Sequence, residues 1–545
     1  MSPIDYTIIF LYLLALLYLG FRRSRGADKS LEEFVLSGRR LSLPAFVATL
    51  VTTWYGGILG VGEFSYSYGI SNWLVFGVPY YLFAIIFAFF LAGRARRQKL
   101  LTIPEQLERA YGKAAGLVGA VFVFILSTPA PYVLMLGVLC EILFAWPLWL
   151  GICAGTLLSI IYSFRGGFAA VVRTEKLQFI LMYAGFALIL YFAVAKFGGF
   201  AFLKQNLPAT HLVWHGGNSP LFIFVWYFIA MSTLIDPTFY QRCFAAKDER
   251  TARNGILISV LCWALFDFMT TATGLYARAI LPELSNAVES YPRLALEVLP
   301  RGARGIFYVA LFAIIMSTVD GFAFTSAVTL GKDILVKLSF TRGAFFLLRK
   351  KQSANYQVRA LAPNDSPLEG GQGGVAQDRK EMKSSSEGDA GSDDEFKMIN
   401  ALKNTPLTPL KGGIARANSL SIEADQEQRQ KWESAVTRLT QLGLVLTFIF
   451  AIAIALWARS VVAIWYQLGT IVTPALLFPL ASSFSEKWRM RSRMALASML
   501  VSASITGVWL WNQSGGKYWW GIEPIFPGLM CAAIFFVLGI KKSHG

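Results

Sequence analysis

The 545-residue chain is predicted to be an all-α, polytopic membrane protein, and three observations lead there. It is 55% hydrophobic and only 15% charged, with a mean hydropathy of +0.51, far outside the range of soluble chains of this length. Its apolar residues gather into runs of about eighteen or more, enough to cross a bilayer as helix. Its Lys and Arg cluster in every second connection between those runs.

Roughly thirteen spans follow from the first two observations. They lie near 5–22, 43–68, 73–93, 114–145, 147–164, 174–197, 219–237, 254–280, 306–330, 436–458, 461–482, 491–512 and 523–540. The fourth and fifth are separated only by "FAWPLW". The basic connections are "RRSRGADK" (22–29), "RARRQK" (94–99), "RGGFAAVVRTEK" (165–176), "QRCFAAKDERTARN" (241–254), "KWRMRSR" (487–493) and the terminal "KKSHG". The alternate connections, such as "SYGISNW" and "NQSGGKYWWGIEP", carry no excess of charge. The expected topology therefore has the N-terminus outside, the C-terminus in the cytoplasm and the chain in a cell inner (plasma) membrane. The first span is expected to stay: its basic cluster follows the apolar run, and it has no small-residue cleavage motif.

The net charge of +17 is explained by these cytoplasmic connections, so no nucleic-acid partner is expected. Three histidines and five scattered cysteines, without metal-ligand spacing, argue against a metal centre or a disulfide framework. No nucleophile and base pair or phosphate loop points to an enzyme. Residues 340–433 interrupt the pattern with Gly, Ser and acidic residues, including "EGGQGGVAQDRKEMKSSSEGDAGSDDEF", and are expected to be a disordered cytoplasmic insertion. It divides the membrane region into a first part, 1–339, and a second, 434–545.

Charged groups at membrane depth cost about 2.5–3.5 kcal/mol each at a helix centre, so they are functional candidates. Glu63, Glu141, Glu175, Asp236, Asp267 and Asp320 qualify. Glu63, Glu141 and Asp236 fall near span ends, and Glu175 is expected at a solvated helix start beside Arg173 and Lys176. Asp320 belongs to "MSTVDG", where Ile314, Ser317 and Thr318 share one helix face at i, i+3 and i+4. A carbonyl and two hydroxyls on one face suit a hard cation such as Na⁺. Equally, hydroxyls of this kind pack membrane helices together. A second, broken helix would decide the matter, and "TTWYGGILGVG" offers one. Glycine-rich backbone can unwind in a bilayer where it lines a cavity, which is how secondary transporters build midplane sites.

Three stretches in order resemble the sodium:solute symporter family: "EEFVLSGRRLSLPAFVATL", "RGGFAAVVRTEKLQFILMYAG" and "AIIMSTVDGFAFTSAVTLGKDI". The resemblance covers nearly all of the chain outside 340–433. It implies a LeuT-type fold, with two inverted five-helix repeats in spans two to six and seven to eleven, an extra N-terminal helix and additional C-terminal helices. It further implies a Na⁺ site formed by the carbonyls of Thr52, Tyr55 and Ile314 and the hydroxyls of Ser317 and Thr318. Glu175 matches the family's carboxylate assigned to ion release, and Asp320 is a second candidate for ion release or gating, or a hydrogen-bond partner of a neighbouring helix. Solute contacts are expected from Trp54, Gly56, Gly57, Tyr66, Ser127, Thr128, Trp226 and Tyr227. The implied function is Na⁺-coupled uptake of a small organic solute, an amino acid, carboxylate, sugar or vitamin, by alternating access. The alternative is a non-transporting membrane sensor or scaffold that keeps the fold.

Overall fold

The computed structural model describes residues 1–21, 30–339, 411–458, 461–513 and 518–540. The basic clusters at 22–29 and 541–545 and most of the expected insertion, 340–410, lie outside the described residues. The chain divides into one unit of Met1–Ser339 with Trp432–Gly545 and a second of Phe340–Lys431. Within the second, residues 411–431 are helical, in the helix Lys411–Ala458. Residues 411–433 were expected to be disordered, but "QEQRQKWESAVTRL" is rich in strong helix formers, and Glu427 and Lys431 form an i, i+4 pair at 2.7 Å.

The first unit is nearly all helix. Among the described residues, ten helices are long and apolar enough to cross a membrane, and an eleventh span arises if the bent pair Leu43–Trp54 and Ile58–Tyr68 is one. The expected count of thirteen would also need the shorter apolar helices Leu148–Ile161 and Ile525–Gly539 to cross. One expected connection is absent: "RGGFAAVVRTEK" is not a loop, because the span Gly166–Phe197 is helical from its first glycine. The turn is instead made at Gly167, whose φ of 56° and ψ of −160° interrupt the helix Leu148–Phe197. Only glycine adopts this backbone without strain. Arg173, Glu175 and Lys176 are thereby carried into a helix interior.

Three further interruptions shape the middle of the unit. Leu43–Trp54 and Ile58–Tyr68 meet at Tyr55–Gly57 with a bend of 61°. The glycines are dictated by close approach: a Cβ on Gly56 would lie 2.4 Å from Thr318 Cβ, and one on Gly57 1.6 Å from the Trp465 ring. Lys113–Leu126 and Ala130–Phe144 meet at Ser127–Pro129. Finally, the span Pro220–Ala245 breaks at Asp236, which is extended (φ −63°, ψ 118°) and caps the helix Pro237–Ala245. A residue before proline is driven out of helical backbone, and an aspartate there accepts from the first free amides.

The helix Ala303–Val328 is buried on all sides from Phe307 onward, as expected of a helix that is apolar around its whole circumference. It packs along Leu148–Phe197 and against Leu43–Trp54, so the broken helix and the "MSTVDG" segment meet at the centre of the unit.

Candidate functional site

Four oxygens converge where the broken helix meets Ala303–Val328. Ser317 Oγ is 2.8 Å from the Ile314 carbonyl and 3.0 Å from that of Thr52. Thr318 Oγ1 is 3.2 Å and 3.3 Å from the same two carbonyls. Thr52, Ile314, Ser317 and Thr318 are all fully buried. Ligands about 2.3–2.6 Å from a hard cation stand roughly 3.3–3.7 Å apart when at right angles. These oxygens need to separate by only a few tenths of an ångström to surround one. Tyr55 is the first residue beyond the end of the helix Leu43–Trp54, so its carbonyl belongs to the break; its ring hydroxyl donates to the Trp263 carbonyl at 3.1 Å. Among the described residues no cluster of three or more His, Cys, Asp or Glu could hold a metal, so this oxygen set is neutral.

One residue along the helix, Thr53 opens a charged layer. Its Oγ1 lies 2.7 Å from both Glu175 Oε1 and Arg242 Nη2. Arg242 Nη2 also donates to Glu175 Oε1 at 3.0 Å, with neither side chain exposed. Glu175 is thus not the solvated helix start expected from Arg173 and Lys176. It follows the kink at Gly167 within its helix, and its partner Arg242, expected in the cytoplasmic connection 241–254, lies instead buried in the helix Pro237–Ala245 that Asp236 caps. Asp320, 1% exposed, accepts a short hydrogen bond from Ser159 Oγ on Leu148–Phe197, the neighbouring-helix contact expected as its alternative role.

Beside the break is a cavity of about 160 Å³. Of the expected solute contacts, Trp54, Gly57, Thr128 and Trp226 line it, along with Tyr55. Gly56 packs behind it against Thr318 and Tyr132. Three residues are not brought there. Ser127 bonds back to the Val123 carbonyl at 2.7 Å. Tyr227 packs on the cluster around Trp226 and Ile229. Tyr66 anchors a connecting loop: its hydroxyl donates to the Leu281 carbonyl at 2.5 Å and accepts from Leu284 N at 3.0 Å. The Tyr66 carbonyl meets His211 Nε2 at 2.9 Å, and the His211 carbonyl accepts from Ile70 N at 3.0 Å.

The cavity also draws on residues not chosen as contacts, notably Tyr80, Tyr132, Asp236, Asp267, Phe322 and Trp465. The Asp236-Pro237 dipeptide was a readable signal, since such pairs interrupt helices. Tyr132 and Trp465 carried no signal, because aromatic residues at helical spacing are ordinary core. A second cavity of about 930 Å³ shares the walls Phe76, Trp226 and Ile229 with the first and is lined by Glu63, Glu141 and Glu523.

Comparisons with known proteins bear on the family and the fold. The profile of the sodium:solute symporter family matches residues 34–344. The chain is 25% identical over 426 residues to the sodium/glucose cotransporter of Vibrio parahaemolyticus, covering 68% of this chain and 76% of that one. It is 26% identical over 339 residues to the sodium/pantothenate symporter of Escherichia coli, covering 58% and 68%. Among solved structures, a substrate-bound, outward-open Na⁺-coupled sialic acid symporter superposes with a TM-score of 0.68 at 15% identity, covering 99% of both chains. A nucleobase-cation-symport-1 family transporter superposes with a TM-score of 0.53 at 10% identity, covering 93% of both. At these identities the structures speak for the fold alone, which is the LeuT-type fold. The chain is a multi-pass membrane protein whose coupling ion is Na⁺ and whose function is Na⁺-coupled symport. With the profile spanning more than half of its length, the chain belongs to the sodium:solute symporter family.

Proposed function

We propose that this protein couples inward Na⁺ movement to the uptake of a small organic solute by alternating access. Na⁺ binds between the carbonyls of Thr52, Tyr55 and Ile314 and the hydroxyls of Ser317 and Thr318. The observation that supports this most is the meeting of four buried neutral oxygens from two helices, 2.8–3.3 Å apart, at the break that also borders the cavity. A cation there bridges the broken helix to Ala303–Val328, so ion binding favours the conformation in which the cavity wall is complete. Each charge carried inward gains about 2.3 kcal/mol per 100 mV.

Glu175, joined to Thr53 next in sequence to the Thr52 ligand, takes the departing ion towards the cytoplasm, with Arg242 holding the carboxylate when the ion is gone. Asp320 positions Ala303–Val328 against Leu148–Phe197. The N-terminus faces outward and the C-terminus the cytoplasm, as the basic connections require. Relatives are named for glucose, pantothenate and myo-inositol, which supports an organic solute here.

Reconstituted proteoliposomes under an imposed Na⁺ gradient test the reading. Accumulation of a solute that collapses with the gradient is expected. A protein that binds Na⁺ yet accumulates nothing from a broad solute panel would instead be a sensor or scaffold of this fold.

A further inference from the structure

Two cavities in series carry carboxylates and, among the described residues, no Lys, Arg or His. The inner one is lined by Asp236 and Asp267, the wider one by Glu63, Glu141 and Glu523. Such a route concentrates cations and repels anions.

The inner carboxylates are not equivalent. Asp267 receives a short hydrogen bond from the Tyr81 hydroxyl. Asp236 spends only Oδ1 on its helix cap, accepting from Thr238 N at 2.7 Å, Thr238 Oγ1 at 2.6 Å and Phe239 N at 3.3 Å. Its Oδ2 has no hydrogen-bond donor among the described residues. Arg242, on the same helix, is near enough for its charge to act on Asp236, but its hydrogen bonds go to Glu175 and Thr53 and it does not line the cavity. One Arg242 charge is shared by Glu175 and Asp236, so the half-used Asp236 carboxylate beside the cavity has room for a second positive partner.

The other walls say what kind. Thr128, only 1% exposed, lines the cavity with no hydrogen-bond partner for its Oγ1. The same cavity is walled by aromatic rings: Tyr132 with its centroid 6.1 Å from that of Trp465 and 5.0 Å from that of Phe322, and Trp54 5.4 Å from Tyr80. Ring faces attract alkylated ammonium groups and, through the same quadrupole, disfavour a carboxylate over them. The 160 Å³ of space is close to the cavity of about 150 Å³ that holds benzene in another protein, a guest of about six to eight non-hydrogen atoms.

Resting on the sodium-coupled uptake proposed above, we infer that the solute is a compact organic ammonium ion. Its tertiary or quaternary nitrogen pairs with Asp236, its alkyl surface lies on the aromatic rings, and a hydroxyl on it bonds Thr128 Oγ1.

The full-length protein in proteoliposomes is offered choline, its uncharged carbon isostere, lactate and xylose under an inward Na⁺ gradient. Choline accumulates and the isostere neither accumulates nor competes. In Asp236→Asn the helix keeps a capping oxygen, since Asn caps as well as Asp. Stabilisation by Na⁺ alone therefore persists, while the KM for choline rises about 30-fold or more. Trp465→Leu raises it about tenfold. Equal competition by the isostere, or an unchanged KM in Asp236→Asn, overturns the assignment. Uptake of xylose or lactate in place of choline overturns it and leaves sodium-coupled transport standing. Uptake of none of the four overturns it as well, and loss of Na⁺-induced stabilisation in the same preparation removes the transport reading beneath it.

Discussion

Arg242 and Glu175 form an ion pair at 3.0 Å with no solvent exposure on either side, and Thr53 Oγ1 stands 2.7 Å from both. The pair joins three helices immediately beside the oxygen cluster, so its charge balance and the ion site are physically coupled. Breaking it from one side strands a charge: Arg242→Met alone destabilises the protein by about 3–5 kcal/mol. Replacing both partners, with Glu175→Leu added, recovers most of that loss. Thermal unfolding in detergent of the two single variants and the double variant measures the coupling.

Removing hydroxyls from the oxygen cluster weakens Na⁺ rather than the fold. Ser317→Ala and Thr318→Ala each lose one ligand and about 1–3 kcal/mol of binding, a shift of roughly 5- to 150-fold in the Na⁺ concentration for half-maximal stabilisation. Combined, they abolish Na⁺ dependence. Asp320→Asn keeps an acceptor for Ser159 and shifts Na⁺ dependence less. A larger effect from Asp320→Asn than from the hydroxyl variants reverses the assignment.

Gly57 faces the Trp465 ring, and any Cβ there would sit 1.6 Å from it. Gly57→Val therefore displaces Trp465 from the cavity wall and costs at least about tenfold in solute uptake. Na⁺-induced stabilisation falls less than uptake does, because the added side chain meets Trp465 and none of Thr52, Ile314, Ser317 or Thr318. Uptake and melting measurements on one preparation separate the two effects.

His211 tests the loop that Tyr66 anchors. Burial pushes its imidazole below the ordinary value, and the nearby Arg278 charge acts in the same direction. The folded protein therefore keeps His211 neutral while the unfolded chain protonates near the usual value of about 6.5. The stabilisation from His211 is complete above that pH and is lost as pH falls through it towards the lower folded value. Melting temperature should drop between about pH 7.5 and 5.5, and the drop should be smaller in His211→Gln. Parallel slopes in the two proteins would show that other groups set the acid sensitivity.

The resemblance carried the site a long way. The i, i+3, i+4 set at Ile314, Ser317 and Thr318 is a property of helix period, so it was visible without any fold, and the tertiary structure brought the Thr52 carbonyl to it. Trp54, Gly57 and Thr128 were expected at the solute by their positions near the breaks read in the second and fourth spans, and Trp226 as aromatic surface of the seventh; all four line the cavity. Tyr66, Ser127 and Tyr227 failed the same logic, because position along a span does not say which way a side chain turns. The wide preference for "small organic solute", carboxylates included, came from relatives. The acidic lining of both cavities argues against a carboxylate.

Local composition by itself determined that this chain crosses a membrane many times as helix, because the bilayer's demand for apolar length and satisfied backbone is met or missed within each segment. It also marked the glycine-rich break and the hydroxyl pair. The tertiary structure decided the partners. Packing turned Glu175 from a solvated helix start into half of a buried ion pair with a residue 67 positions away. The break before Pro237 set Asp236 at the cavity with one oxygen unclaimed. Both outcomes depend on helices far apart in sequence meeting at one depth, and their meeting is set by packing of the whole core, which no short window of residues contains.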